Sequence, residues 1–385
     1  MPILPLDLIE DILSRLPVKS LKRFRSVAKS WCSLVDSEKF IKSHLRRSLT
    51  SYSNHHLILG GGPALYSVDL GPLNKALVLK PPFSYNNMNG VTSSCHGLVL
   101  VMSEPPVFWN PFARSYRVLP DSSVEPPPGS GFYALVSYGF GYDSITDDYK
   151  VLKVMDFKNH VTQVTILMET GIFSLKSNSW KKIQDFPYPL PFVGGHTRAP
   201  VNGSMHTLVY ADGSTDAARI MAFSFETEKH CEMKLPKGVK TRDSGLSLTV
   251  VGGSLCLICM QRSRVVIWVM KEYGVEESWS ILLTIKPPAM GPHFCVKPLV
   301  YSRDGNKVLL NWHDKRLVWY DLRKKTLQQV RVDDIPFSFY AQYCVESLVS
   351  LEAPDQVKKR GTETKGKGGS KKRDDFLSVG FKLVL

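Results

Sequence analysis

One unit recurs six times along most of this chain, and it restricts the available folds more than any other feature. An apolar-aromatic run leads into a polar turn, then into a second short run ending near a Trp or an aliphatic residue. The copies are LYSVDLGPLNKALVL, VFWNPFARSYRVL, IFSLKSNSWKKI, AFSFETEKHCEM, VIWVMKEYGVEESWSIL and LVWYDLRKKTLQQV. Their aligned aromatics are Tyr66, Phe108, Phe173, Phe223, Trp268 and Trp319, separated by 42, 65, 50, 45 and 51 residues. A period near 50 built from short alternating strands suits a β-propeller blade, whose four strands bury their faces against neighbouring blades. A β-sandwich also shows strands at such spacing, but it does not call for six similar units. The expected fold class is mainly β: a β-propeller of six blades over residues 55–385, behind a small helical domain over residues 1–48. The long separation contains the Pro-rich Val124–Phe132, read as a surface-loop insertion.

Upstream of several units a Gly sits in a tight turn: His96-Gly97-Leu98, Asn202-Gly203-Ser204, Gly252-Gly253-Ser254 and Asp304-Gly305-Asn306. These are hairpin signals, because Gly reaches positive φ without strain. Trp109, Trp180, Trp268, Trp279, Trp312 and Trp319 are read as blade core. The Pro-rich stretches Glu104–Pro106, Val124–Phe132, Phe186–His196 and Lys286–His293 are stiff loops suited to holding a partner on one rim of the ring.

The first fifty residues follow a different period. Leu8, Ile9, Ile12, Leu13 and Leu16 form one helical face, with Asp7, Glu10 and Asp11 off it near the helix start. Pro5 suits a first turn, and Pro17 ends the helix near Leu16. Ser20 is expected to cap a second helix carrying Leu21, Phe24, Val27, Ala28 and Trp31. Asp36 or Ser37 is expected to cap a third, with Phe40, Ile41 and Leu45. Three helices in so few residues make a poor core alone, so their surplus apolar surface packs on the rest of the chain or serves as an interface.

The net charge of +14 invites a nucleic-acid reading, but its distribution argues against one. Residues 1–50 hold ten Lys/Arg against five Asp/Glu, and residues 358–373 hold eight Lys/Arg against Glu363. The rest of the chain is close to neutral, so no broad phosphate-tracking face is required. Seven irregularly spaced cysteines suggest no disulfide framework, and no basic-then-apolar leader opens the chain. A reducing intracellular setting is expected. Leu246–Met260, the longest uncharged apolar stretch, is broken by Ser, Thr and Gly and reads as strand, turn, strand rather than a membrane span.

The run LPLDLIEDILSRLPVKSLKRFRSVAKSWCSLVDSEKFIKSHL, residues 4–45, closely resembles an F-box, through Leu4-Pro5, Leu8, Ile12-Leu13, Leu16-Pro17, Leu21, Val27, Lys29, Trp31 and Phe40. The resemblance implies docking to the Skp1-like adaptor of a cullin-based ubiquitin ligase. It points to Leu4, Pro5, Leu8, Ile12, Leu13, Leu16, Pro17 and Leu21 as the adaptor-binding positions, several of which must also pack the bundle. Downstream, GFGYDSITDDYKVLKV (139–154), PVNGSMHTLV (200–209) and IWVMKEYGVEESWSILLTI (267–285) are similar to the plant F-box-associated, kelch-like domain. So is the stretch from Tyr343 to Leu351, where Cys344 is an insertion against the family pattern. Within that family the motifs resemble the constitutive expresser of pathogenesis-related genes subgroup, which is associated with limiting intracellular immune receptors in plant defence.

Residues 352–375 are polar and rich in Gly and Lys, and are expected to be a flexible basic loop. The strand-like FLSVGFKLVL follows, and the simplest account pairs Cys344–Leu351 with Phe376–Leu385 as a hairpin. Lys358-Lys359-Arg360 and Lys371-Lys372-Arg373, ten residues apart, resemble a bipartite nuclear import signal. The expected localisation is cytoplasmic and nuclear.

Catalytic signatures are missing. No HExxH, GxSxG or phosphate-loop pattern occurs. Cys256 and Cys259 have CxxC spacing but no second pair, and read as core rather than as zinc ligands. Asp147-Asp148 reads as a turn. The expected function is therefore non-catalytic, with no cofactor and no metal. It is the substrate-recognition subunit of a Skp1–cullin–F-box ligase, with the F-box holding the adaptor and the propeller holding an unidentified target protein. Two other readings stay open: a nuclear nucleic-acid-binding protein using the basic tail, and a propeller oxidase.

Overall fold

A computed structural model of the chain describes residues 5–351 apart from 52, 62–63, 86–89, 123–130, 191–198, 211–217, 240–243 and 287–293. Among these residues lie six antiparallel sheets of four strands each. Blade 2 spans 91–118, blade 3 spans 132–182, blade 4 spans 199–233, blade 5 spans 244–285 and blade 6 spans 296–329. Blade 1 joins both ends of the domain: its inner strand Tyr340–Val345 pairs with His55–Gly60, followed by Leu65–Asp69 and Ala76–Leu79. The inner strands of successive blades touch all the way round, so the sheets close into a ring. Closing the ring with one late and three early strands ties residue 55 to residue 345.

All six aligned aromatics fall on the third strand of their blades. Each faces a residue of the outer strand, for example Phe173 opposite Trp180 and Phe223 opposite His230. Phe108, Phe173 and Phe223 are wholly or almost wholly buried between adjacent sheets. Trp109, Trp279 and Trp312 are core residues, and Trp180, Trp268 and Trp319 pack at its edge. The four Gly-containing turns each join the inner strand of a blade to its second strand. Residues 96–97, 202–203 and 252–253 all have positive φ, the hairpin geometry those residues favour. Leu246–Met260 is indeed strand, turn, strand, and no described helix is long and apolar enough to cross a membrane.

The long separation in the repeat has a second source besides a loop. Blade 3 has strands of 12, 12 and 10 residues, where a typical blade strand here has 4 to 8. Cys256 and Cys259 lie three apart on one strand and so point to opposite faces. One packs between blades 5 and 6, the other between blades 4 and 5. Burial pushes both thiols up to about 12.

The N-terminal segment has four helices rather than the expected three: α1 (Leu6–Ser14), α2 (Val18–Phe24), α3 (Lys29–Val35) and α4 (Glu38–Thr50). The anticipated second helix breaks after Phe24, where Ala28 is extended. An unbroken helix would hold Phe24 and Trp31 about 10 Å apart along its axis. The break lets their rings meet edge-to-face at 5.6 Å instead. Pro17, not Ser20, stands at the cap of α2, and Ser37 caps α4 by accepting the Phe40 amide at 3.2 Å.

Candidate functional site

The strands of each blade alternate in direction. The turns joining first to second and third to fourth strands therefore lie on one face of the ring. The turns joining second to third strands, and the links between blades, lie on the other. The helices occupy the first face, because α4 feeds the second strand of blade 1 while the inner strand of that blade ends beside it at Val345. Glu104–Pro106 and the links containing Val124–Phe132, Phe186–His196 and Lys286–His293 join strand ends on the opposite face. Most of the last three loops lies outside the described residues.

The helices are welded to the ring. Leu13, Val18, Leu21, Val35 and Phe40 form one core with Leu348, and Phe112 of blade 2 packs against it. The segment 346–351, after the last strand, runs beneath the helices. Glu346, nearly buried, accepts the Val18 amide at 2.7 Å on one carboxylate oxygen. Its other oxygen accepts from His56 Nε2 at 3.0 Å. Val18 opens α2, whose cap residue Pro17 offers no side-chain acceptor, so Glu346 supplies the missing cap and a favourable charge at the helix start. Asn110 donates to the carbonyls of Ser347 and Val349 at 3.1 and 2.9 Å and accepts the amides of Phe112 and Ala113. Arg117 donates to the Leu351 carbonyl at 3.0 Å.

On the α4 side, His55 Nε2 donates to the Ser48 carbonyl at 2.6 Å, and His44 Nε2 donates to that of Leu16 at 3.0 Å. Burial lowers the pKa of both rings, and the carbonyl contacts oppose it only in part. Lys42 of α4 pairs with Asp147 at 2.9 Å, so that member of the Asp147-Asp148 turn anchors the helices. Behind it, Asp143 is fully buried and paired with Lys150 at 2.9 Å. Burial would raise the Asp143 pKa, but hydrogen bonds from Thr146 and Lys150 outweigh it and hold the carboxyl near 2.

The expected adaptor-binding residues divide into two groups. Pro5, Leu8, Ile12 and Pro17 are exposed, Leu8 by 51% and Ile12 by 52%; Leu6, at 68%, is exposed on another side of the same helix. Leu13 and Leu21 are buried in the bundle and Leu16 packs against it, so these three shape the surface from beneath. Leu4 lies outside the described residues, as do Lys358, Lys359, Arg360, Lys371, Lys372 and Arg373. The hairpin expected between Cys344–Leu351 and Phe376–Leu385 meets a different arrangement. Cys344 and Val345 pair with His56 and His55, residues 346–351 form no strand, and 376–385 lie outside the described residues.

The junction residues Glu346, His56 and Asn110 were not singled out from sequence. One signal was present for Glu346: it is the single charge in the apolar stretch from Tyr340 to Leu351. A cavity of about 1110 Å³ runs along the ring axis, with Leu49–Ser51 of the helical segment at one end and inner-strand residues around it. Among the described residues no cluster of His, Cys, Asp or Glu has the arrangement to hold a metal ion.

Residues 70–351 match the F-box associated beta propeller domain, and residues 1–43 match the F-box domain. The F-box protein CPR1 of Arabidopsis thaliana is 35% identical, with all of both chains covered. A second Arabidopsis thaliana F-box protein is 28% identical over 99% of each chain. An F-box/kelch-repeat protein of the same plant is 30% identical over 80% of this chain and 85% of its own.

Proposed function

The chain belongs to the F-box proteins that carry an F-box-associated β-propeller domain, and from this premise we propose that it is the substrate-recognition subunit of a Skp1–cullin–F-box ubiquitin ligase. The observation that carries the reading is the split of the helical bundle. Leu13, Val18, Leu21 and Phe40 fasten it to the ring, while Leu8 and Ile12, one turn apart on α1, leave an apolar patch open to solvent. Such a patch suits an adaptor helix or groove. A receptor of this kind needs no catalytic residue. Holding a target near the conjugating machinery raises the effective concentration of its lysines. The fixed junction supports this role, because a rigid link preserves the geometry between adaptor and target.

The target binds the face opposite the helices, where the Pro-rich links emerge. The subgroup resemblance points to intracellular immune receptors as the target class, and the paired basic clusters of the tail point to partial nuclear residence. The decisive test is capture of a purified Skp1-like adaptor at micromolar concentration. The wild-type chain should bind, and the Leu8→Asp/Ile12→Asp double variant should not, with an unchanged melting curve. Failure of the wild type to bind would sink the proposal. Recovery of immune receptors with the wild type under proteasome block, lost on deletion of the F-box, tests the target class. Imaging a variant with both basic clusters changed to Ala tests the nuclear residence, which an undiminished nuclear signal would exclude.

A further inference from the structure

The face away from the helices is not uniform in charge. On blade 5 the turn between second and third strands presents Arg262 and Arg264, both exposed. On blade 6 the equivalent turn presents Lys315 and Arg316, also exposed. The two blades are neighbours that share one core. Among the described residues none of these four cations is in an ion pair with a carboxylate; Arg264 Nε instead donates to the Gln261 side chain at 2.6 Å. The acidic groups of blade 5, Glu272, Glu276 and Glu277, lie at its other end. The one carboxylate in the blade 6 turn, Asp314, is occupied by Asn311 Nδ2 at 2.7 Å and the Cys295 thiol at 3.3 Å.

Two more features meet at this place. Lys297, near the start of the inner strand of blade 6, lines the axial cavity, and its ammonium makes one hydrogen bond among the described residues, to the Ala341 carbonyl at 3.4 Å. Burial lowers its pKa, and the charge of Asp314 opposes that only in part. A cation so placed is poorly compensated and gains from an incoming anion. In the link that leads from blade 6 to the inner strand of blade 1, Phe337 is 85% exposed, and Lys315 Nζ sits 5.4 Å from its ring centroid. An exposed aromatic beside a lysine that forms no ion pair among the described residues offers both an apolar and a cationic contact to a partner.

We propose that the blade 5–6 sector of this face, formed by Arg262, Arg264, Lys315, Arg316 and Phe337 with Lys297 at the cavity mouth, binds an acidic peptide segment of the target that also carries an apolar side chain. The inference rests on the substrate-receptor reading and names the chemistry of what is received. A peptide fits better than a nucleic acid. Among the turns that join second to third strands, only those of blades 5 and 6 carry Lys or Arg, whereas a phosphate backbone asks for a continuous track of cations. One lysine at a cavity mouth matches one carboxylate, and Phe337 gives an apolar side chain somewhere to rest.

The test uses the full-length protein and fluorescence anisotropy with a short labelled Asp/Glu-rich peptide containing one Phe. A single-stranded oligonucleotide of similar charge serves as the competing probe. Arg262→Glu/Lys315→Glu should weaken peptide binding roughly tenfold or more. Lys297→Met should weaken it as well. Arg323→Glu, the same charge change on the helical face of blade 6, should leave it unaltered. Adaptor capture is measured on every sample and should be retained throughout. The inference is overturned if a wild-type protein that captures the adaptor ignores the peptide. It is equally overturned if Arg323→Glu weakens binding as much, or if the oligonucleotide binds more tightly through the same residues. A wild-type protein that fails to capture the adaptor overturns instead the ligase reading beneath it.

Discussion

The carboxylate of Glu346 accepts the backbone amide of Val18 at 2.7 Å, across 328 residues of chain. A helix near the start of the protein is thus capped by a residue that follows its last described strand. The cap sits at the point of ring closure, because Glu346 comes directly after the strand that completes blade 1. Folding of the propeller and orientation of the F-box are coupled at this contact.

Glu346→Ala should therefore destabilise the protein by about 2–4 kcal/mol, by stranding both the Val18 amide and His56. Glu346→Gln retains one acceptor and should lose about 1 kcal/mol. Urea unfolding gives the ranking. Limited proteolysis should show the Ala variant cut early between the helices and the ring.

Burial separates two kinds of F-box leucine and isoleucine. Leu21→Ala removes a fully buried side chain and should cost about 2–5 kcal/mol. Ile12→Ala, on the open patch, should cost under about 1 kcal/mol while reducing adaptor capture. Equal stability losses in the two variants would contradict the division described above.

Gly97 and Gly305 both hold positive φ in equivalent turns, yet they should respond differently to Ala. A Cβ on Gly97 would lie 2.5 Å from Ser347 Oγ and 2.6 Å from the Val345 carbonyl, within the junction. A Cβ on Gly305 meets nothing within 4 Å. Gly305→Ala should cost about 1 kcal/mol of backbone strain, and Gly97→Ala about 3 kcal/mol or more, since the segment 345–347 must shift. Melting temperatures of the two variants provide the comparison.

His206 is wholly buried between the Ala199 carbonyl and the Tyr273 hydroxyl, and burial lowers its pKa to about 4. The unfolded ring titrates near 6.5, so the unfolded state takes up the proton first as the solution is acidified. The stability this neutral ring retains is complete above about pH 6.5 and falls away as pH drops toward 4, by up to about 3 kcal/mol. His44 and His55, lowered in the same direction, add to the loss. His206→Gln should flatten the stability profile between pH 6.5 and 4.5, and denaturant midpoints across that range will show whether it does.

The parts of the molecule that could be read from the chain are those written in short range. A two-residue alternation marks a strand, a Gly in a two-residue turn marks a hairpin, and a recurring aromatic marks the third strand of a blade. Each depends on residues a few positions apart. Six blades, the turn glycines and the core tryptophans were legible for that reason. The break between α2 and α3 was not, because it is stabilised by Phe24 meeting Trp31 rather than by any local breaker. Blade 3 shows a similar gap: a spacing of 65 residues marks extra length without saying whether loop or strand absorbs it.

The identity of the F-box and the repeat of the ring are properties of local pattern, and the chain carries them wherever it is read. The outward aim of Leu8 and Ile12, the inward aim of Leu13 and Leu21, the pairing of residues 340–345 with 55–60 and the cap from Glu346 to Val18 are of another kind. Each arises from surfaces that meet only after hundreds of residues have been brought round into a ring. Spacing along the chain is blind to such meetings, because burial and hydrogen-bond partners are set by what closes over a side chain and not by what precedes it.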